Sequence, residues 1–214
     1  MRPERPLLSL IDHPGTRAVA SSLHLPLLQR LTAPLRARRP ADGRGHRFVA
    51  VIDCILNQNV RDAGAAEFPA MNFALLELCH EHAVGILQMP CPEIAALGFP
   101  RTRPVGQTIR QALDTENGRR TCAALAVGVA ERIAGQLAAG DRLLAILGGN
   151  PRSPGCAVHG DGKGVHADSG VFIQELQGEL GRRGLTPPFR GIRDARPELL
   201  AEDLLWLRQL ISRD

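Results

Sequence analysis

Three of the five cysteines in this chain, Cys54, Cys91 and Cys156, each follow a short apolar stretch and are flanked by proline, glycine or polar residues. Thiolates bind soft metal ions and clusters, and they also act as nucleophiles or redox groups. The separations between these cysteines match neither a zinc ribbon nor a compact ferredoxin motif. Three interpretations therefore stay open: a three-thiolate metal site, a redox or nucleophilic cysteine, and three unrelated buried thiols.

The apolar stretches that precede these cysteines predict strands. Their nearly continuous apolar character is typical of parallel strands that are buried on both faces. The three predicted strands are Phe48–Ile52, Val84–Met89 and Leu143–Leu147. Pro90 and Pro92 have no backbone N–H group and fix φ, so they stop the second strand and hold Cys91 on rigid backbone.

Helical stretches alternate with these strands and predict the fold class. The predicted helices are at about Pro69–His82, Gln107–Leu113, Cys122–Ala139, Val171–Arg183 and Pro197–Ile211. A short edge strand is predicted within Leu185–Gly191. The alternation predicts an α/β fold, with an open, mainly parallel sheet of three to four strands and helices on both faces in a Rossmann- or flavodoxin-like three-layer arrangement. If the first strand lies between the second and the third, the three cysteines meet in one crevice at the carboxyl edge of the sheet.

Two further cysteines lie within the predicted helices. Cys79 falls on the apolar face of its helix and is interpreted as a core thiol. Cys122 lies at the predicted start of the long alanine-rich helix, where a reactive thiol of low pKa is the alternative to a buried one. Gly128 and Gly135 in the same helix are expected to let it pack closely on the sheet.

The first 45 residues differ in composition from the rest of the chain. We predict an Arg/Pro-rich N-terminal extension over residues 1–45 and one α/β domain over residues 46–214. The basic run Arg36–Arg44 is interpreted as a solvated linker. An RNA-binding arm is the alternative, although the extension lacks aromatic side chains for base stacking.

Composition also limits the location of the protein. The chain of 214 residues has a net charge of +4 and no apolar run long enough to span a membrane, so no membrane partner is expected. The N-terminus does not have the pattern of a signal peptide. An odd number of cysteines fits a disulfide framework poorly, and we therefore expect a reduced, cytoplasmic protein.

The residues around the three cysteines form motifs. In chain order these motifs are Cys54-x₅-Val60-Arg61-x₂-Gly64, Cys91-Pro92-Glu93-x₃-Leu97-Gly98-x-Pro100-Arg101 and Ser153-Pro154-Gly155-Cys156. The series resembles the three motifs of the thiouracil desulfidase family (TudS-type), and the Cys-Pro-Glu stretch is the most specific match. The resemblance covers about residues 47–160.

The resemblance implies an enzyme that replaces sulfur by oxygen in a thiolated nucleobase, nucleoside or related small thioamide. Cys54, Cys91 and Cys156 would bind a 4Fe-4S cluster with one iron open to the sulfur of the substrate. Glu93 would be the general acid/base, and Ser153 a polar partner near the substrate. The residues expected to bind substrate are Asn57, Asn59, Arg61 and Arg101.

The chain also departs from the family motifs. Asp62-Ala63 stands where the family usually has Tyr-Asp, and Gly155 and Ala157 flank Cys156 in place of serine and glycine. These changes surround the substrate position, so we expect a related branch that shares the cluster and differs in substrate. The alternatives are a zinc site completed by His159, a metal-binding or sulfur-carrying module without turnover, and a cluster-dependent hydro-lyase.

Overall fold

The computed structural model describes residues 42–159 and 165–213. The predicted extension lies almost entirely outside these residues, and so does most of the basic run Arg36–Arg44, and the predictions for them stay predictions. None of the helices within the described ranges is long and apolar enough to cross a lipid bilayer.

One sheet of four parallel strands forms the centre of the fold. Its strands are β1 (Arg47–Ile52), β2 (Gly85–Met89), β3 (Arg142–Gly148) and β4 (Phe189–Gly191). Their order in the sheet is β2-β1-β3-β4, so the first strand lies between the second and the third. The predicted open parallel α/β sheet is confirmed, and its short fourth strand lies at an edge, as expected for a segment that follows Pro187-Pro188.

Helices cover both faces of this sheet. Their bounds are α1 (Asp53–Leu56), α2 (Phe73–Glu81), α3 (Pro92–Leu97), α4 (Ile109–Leu113), α5 (Glu116–Ala138), α6 (Val171–Arg182) and α7 (Pro197–Ser212). The connection from β1 to β2 and the connection from β2 to β3 run in opposite directions, so right-handed crossovers place α2 and α5 on opposite faces. Accordingly, α2 contacts α7, whereas α5 packs against α6.

Capping residues explain where the helices differ from the prediction. Helix α5 begins at Glu116 rather than at Cys122, because the Thr115 side chain accepts a hydrogen bond from the Gly118 N–H. Helix α2 begins at Phe73 because Asn72 caps it in the same way. The short helix α3 was not predicted: Pro92, which cannot continue β2, occupies its first turn, where the missing N–H has no cost.

The two cysteines in the helices are core residues. Cys79 and Cys122 are both buried, and burial raises the pKa of each thiol to about 11. The interpretation of Cys79 as a core thiol is confirmed. The alternative of a low pKa for Cys122 is wrong, because this residue lies well inside α5 rather than at its start.

The glycines of α5 do not play the role that the sequence suggested. A Cβ atom added at Gly128 or Gly135 would meet nothing within 4 Å, so the expectation of close packing there is wrong. The close contact is at Gly118 instead. A Cβ atom at that position would lie 2.5 Å from the carbonyl oxygen of Ala112 and 2.6 Å from that of Leu113.

Gly128 and Gly118 provide a matched test of packing in one helix. We expect Gly128→Ala to raise the free energy of unfolding by about 0.5–1 kcal/mol, because alanine favours the helix and meets no obstacle. Gly118→Ala should lower it by about 1–3 kcal/mol, because backbone atoms must move. Urea unfolding followed by circular dichroism measures both changes, and a neutral Gly118→Ala would contradict the described contact between α4 and α5.

Candidate functional site

Cys54 lies in the first turn of α1, immediately after the central strand β1. The neighbouring Gln58 is buried, and its side-chain Nε2 donates a hydrogen bond to the carbonyl oxygen of Cys54 at 2.8 Å. The oxygen of the same amide accepts hydrogen bonds from the N–H groups of Glu67 and Phe68. The buried amide of Gln58, which sequence reasoning missed, therefore fixes the backbone that carries Cys54.

Cys91 lies two residues after the end of β2 and is the N-cap residue of α3. The backbone N–H groups of Glu93 and Ile94, at the start of α3, favour the thiolate form of Cys91 and act to lower its pKa. Burial has the larger effect, and the pKa of the Cys91 thiol is raised overall. Arg101 lies on the other side, with its Nη2 atom 3.9 Å from the sulfur.

Cys156 lies on a loop that the first turn of α6 holds in place. The otherwise free N–H groups of Val171 and Phe172 donate hydrogen bonds to the carbonyl oxygens of Pro154 and Gly155, at 3.2 and 3.0 Å. Gly149 leaves room for the thiol, because a Cβ atom there would lie 2.8 Å from the sulfur of Cys156.

Gly155, one of the departures from the family motif, has a steric reason. A Cβ atom at this position would lie 2.6 Å from Cγ of Pro92 and 3.3 Å from Cγ of Glu93. The glycine therefore allows the loop that carries Cys156 to approach the start of α3, where Cys91 and Glu93 lie.

The thiols of Cys54 and Cys156 are in hydrogen-bonding contact. The Cys156 thiol donates to the Cys54 sulfur, and this bond, assisted by the nearby Arg61, lowers the pKa of Cys54. The same contact raises the pKa of Cys156 well above its usual value, and full burial adds to this effect. The contact thus favours deprotonation of Cys54 before that of Cys156.

Glu93 and Arg101 form a buried ion pair beside Cys91. The Arg101 Nε atom donates to Oε2 of Glu93 at 2.7 Å, and only 4% of the arginine and 8% of the glutamate is exposed. Arg101 Nη2 also donates to the carbonyl oxygen of Val60 at 2.8 Å. Its backbone has a φ of 70°, a conformation that costs a non-glycine residue energy and that clusters at functional sites.

Arg61 belongs to a second buried network. Its Nη2 atom donates to Oδ2 of Asp194 at 2.6 Å, and Asn150 Nδ2 donates to Oδ1 of the same carboxylate at 2.7 Å. Arg61 also lines the cavity with Cys54, and its positive charge favours a lower pKa for the Cys54 thiol. Sequence reasoning missed Asp194 and Asn150. Their signal is position, since each follows a predicted strand at the carboxyl edge of the sheet.

Ser153 and the two asparagines have different surroundings. Ser153 is half-buried and lines the cavity that contains the thiols, and its hydroxyl makes no hydrogen bond with the described residues. Asn57 and Asn59 are exposed and hydrogen bonded to each other, since Oδ1 of Asn57 accepts from Nδ2 of Asn59 at 3.1 Å. Neither asparagine lines the cavity, so the structure does not bring them to the predicted site.

The cavity has a volume of about 1460 Å³, and the three thiols lie in its wall. Cys54, Cys91, Cys156, Glu93 and Ser153 therefore share one space. Arginines dominate the charge of the described residues that line it: Arg61, Arg101, Arg103, Arg110, Arg152, Arg193 and Arg196, against Asp62, Glu67 and Glu93. Three of these arginines, Arg61, Arg110 and Arg193, form ion pairs with carboxylates that do not line the cavity, Asp194, Asp114 and Asp203.

The arrangement does not fit a zinc ion held with His159. The Nε2 atom of His159 lies 2.8 Å from the carbonyl oxygen of Pro151, and His159 does not line the cavity. Within the ranges 42–159 and 165–213, no three His, Cys, Asp or Glu side chains are placed to hold one metal ion. Among the described residues, the three thiols themselves are therefore not arranged around a single ion.

Comparison with known proteins does not extend the resemblance. No protein-family model matches the chain, and no curated protein sequence is significantly similar to it. The resemblance to the thiouracil desulfidase family therefore depends on the three cysteine motifs.

The shifted thiol pKa values predict an order of reactivity in the metal-free protein. The pKa of Cys54 is below its usual value of 9.0, so its alkylation by iodoacetamide should reach a plateau at a lower pH than that of Cys91 or Cys156. Cys79 should stay unmodified until the pH approaches 11. Mass spectrometry of alkylated peptides across pH 6–10 measures this order.

Arg61→Gln tests the cause of the Cys54 shift. Without the guanidinium, the midpoint of Cys54 alkylation should move to higher pH. Arg132→Gln, a substitution outside the cavity, is the control. An unchanged Cys54 midpoint in Arg61→Gln would contradict the effect of the Arg61 charge on this thiol.

Proposed function

We propose that this chain binds a 4Fe-4S cluster through Cys54, Cys91 and Cys156 and replaces sulfur by oxygen in a thiolated nucleobase, nucleoside or related small thioamide. One observation carries the proposal: the loops after β1, β2 and β3 bring three thiols, the Glu93 carboxylate and the Ser153 hydroxyl into one cavity. This convergence is what the resemblance to the desulfidase motifs requires.

The donor set fits such a cluster better than a single ion. Each cysteine of a cubane binds a different iron, so the three sulfurs need not surround one point. Three thiolates also make an anionic group, and Arg61 and Arg101 line the cavity with Cys54 and Cys91, where they would offset that charge. The cavity, at about 1460 Å³, has room for the group and a small substrate together.

The cluster, when bound, would supply an iron without a protein ligand that accepts the sulfur of the substrate. The protein must supply the proton transfers of the reaction. Overall, C=S and water become C=O and hydrogen sulfide, so both protons of the attacking water must leave its oxygen and reach the departing sulfur. In this proposal Glu93 would carry out both transfers.

The ion pair with Arg101 leaves one carboxylate oxygen of Glu93 available for proton transfer. Oε2 accepts from Arg101, whereas Oε1 makes no hydrogen bond with the described residues. Arg101 thereby fixes the orientation of the carboxylate while Oε1 takes a proton from water and returns it to the substrate. The hydroxyl of Ser153, which lines the same cavity, would hydrogen bond to a ring nitrogen or carbonyl group of the substrate.

A buried carboxylate beside a thiol favours an enzyme over a passive carrier. A sulfur-carrying module needs the thiols but has no use for a buried acid/base group. A cluster-dependent hydro-lyase would use the same donors and remains the second candidate. A substrate panel of thiobases and hydroxy acids distinguishes the two reactions.

Anaerobic reconstitution tests the cluster. With iron and sulfide, the chain should bind about four of each per molecule and absorb near 400 nm. Cys54→Ser, Cys91→Ser and Cys156→Ser should each lose most of the iron. Cys79→Ser, which alters a core thiol outside the cavity, is the control and should keep it. Zinc in a one-to-one ratio without labile sulfide would overturn the proposal.

Glu93→Gln tests the acid/base role. The substitution conserves shape, so the loaded protein should keep its iron, while turnover of 4-thiouracil falls by about 10²–10⁴-fold. Glu67→Gln removes the same charge from the cavity wall and should leave most of the turnover. Equal activity in Glu93→Gln and the unmodified protein would remove Glu93 from the mechanism.

A further inference from the structure

The aromatic residues of the chain leave the cavity without a stacking partner. All of them, six phenylalanines and one tryptophan, lie within the described ranges, and none lines the cavity. Proteins commonly hold an unpaired base by stacking it on an aromatic side chain. The largest apolar side chains in the described wall are aliphatic, those of Ile109 and Leu199. The wall therefore offers the flat ring of a base little apolar cover.

An exposed apolar side chain lies at the rim of this cavity, on the turn formed by residues 102–107. Val105 is fully exposed, whereas its neighbours Arg103 and Gly106 line the cavity. Single exposed apolar side chains are common on protein surfaces, and Val105 is distinguished by its place at the rim. An inward movement of the turn would carry this side chain over the cavity.

The chain is firmly anchored on both sides of the turn. Before it, the buried Arg101 donates hydrogen bonds to Oε2 of Glu93 at 2.7 Å and to the carbonyl oxygen of Val60 at 2.8 Å. After it, the Thr108 N–H donates to Oε1 of Gln111 at 2.9 Å in the capping box of α4. These two anchors would serve as the fixed ends of a moving segment.

Between the anchors, the turn is bonded mainly to itself. Arg103 donates to the carbonyl oxygens of Arg101 and Gln107, and the Gln107 N–H donates to the carbonyl oxygen of Pro104. No described residue outside 101–107 forms a hydrogen bond with residues 103–107, and a Cβ atom at Gly106 would meet nothing within 4 Å. Segments with so few contacts open and close at low energetic cost, and active-site lids belong to this class.

We propose that residues 102–107 form a lid, which closes over the cavity and packs Val105 on the ring of the bound substrate. Closure removes apolar surface of both the valine and the ring from water, and this burial favours the closed state. The lid thus supplies the apolar cover that the aromatic residues do not. The choice of a thiolated base as the occupant rests on the proposed function, whereas the closing movement does not require desulfurisation.

Tryptophan fluorescence of the cluster-loaded protein measures closure. The change Trp206→Phe removes the single native tryptophan, and Val105→Trp then places a probe on the lid. Adding uracil, the product of the proposed reaction, should shift the emission to shorter wavelength and reduce quenching by acrylamide. Phe99→Trp in the same background is the control, because Phe99 is largely exposed but does not line the cavity, and its probe should not respond. An unchanged emission at position 105 would overturn the lid.

Kinetics test the contact between Val105 and the substrate. Val105→Ala should raise KM for 4-thiouracil about fivefold to tenfold and leave kcat nearly unchanged, because the contact is made equally in the bound substrate and in the transition state. Phe99→Ala should change neither constant. The urea midpoint of Val105→Ala should match that of the unmodified protein, since the side chain is exposed before the substrate binds. An unchanged KM would overturn the packing of Val105 on the ring.

Together, the two measurements separate the lid from the proposed function. Turnover of 4-thiouracil without a change in emission or in KM would reject the lid and keep the proposed function. An emission shift with uracil in a protein that has no desulfidase activity would keep the lid and reject the proposed function. The absence of both turnover and an emission shift would reject both.

Discussion

The pairing of β1 with two parallel neighbours is the constraint on which the site depends. Val51 of β1 lies opposite Gln88 of β2 on one side and Leu147 of β3 on the other. Because all three strands run in the same direction, their carboxyl ends open at one edge, and the loops that follow them must meet there. The chain crosses from one face of the sheet to the other between β1 and β3, and this crossing leaves the crevice that the loops line.

Sterically small residues then bring these loops into contact. Gly149 leaves space for the Cys156 sulfur, and Gly155 lets the same loop approach Pro92 and Glu93. Helix α6 holds this loop in place, because carbonyl oxygens of the loop accept hydrogen bonds from N–H groups in the first turn of α6. Close packing and helix capping, rather than attraction between the cysteines, therefore place Cys156 beside Cys54 and near Cys91.

Two buried ion pairs give this edge its electrostatic character. Glu93 with Arg101 and Asp194 with Arg61 each combine a carboxylate with a guanidinium that lines the cavity together with the thiols. Removing charge from water is costly, and each pair lowers that cost while directing positive charge towards sulfur. The pKa of Cys54 falls chiefly because of its contact with Cys156, and Arg61 adds to this effect, whereas burial raises the pKa of the Cys79 and Cys122 thiols.

The sequence predicted the order of strands and helices, because apolar periodicity is a local property. It also predicted the cysteines that follow the strands and the motifs of Glu93 and Ser153, because motif spacing is local too. The sequence did not indicate α3, because Pro92 ends a strand and begins a helix with equal ease. It also misplaced Asn57 and Asn59, whose mutual hydrogen bond turns them away from the cavity. Asp194, Gln58 and Asn150 became site residues only in the folded chain, since their roles depend on contacts across strands that are distant in sequence. Local patterns thus determined the elements and the candidate ligands, and tertiary packing decided which polar side chains are buried together with them.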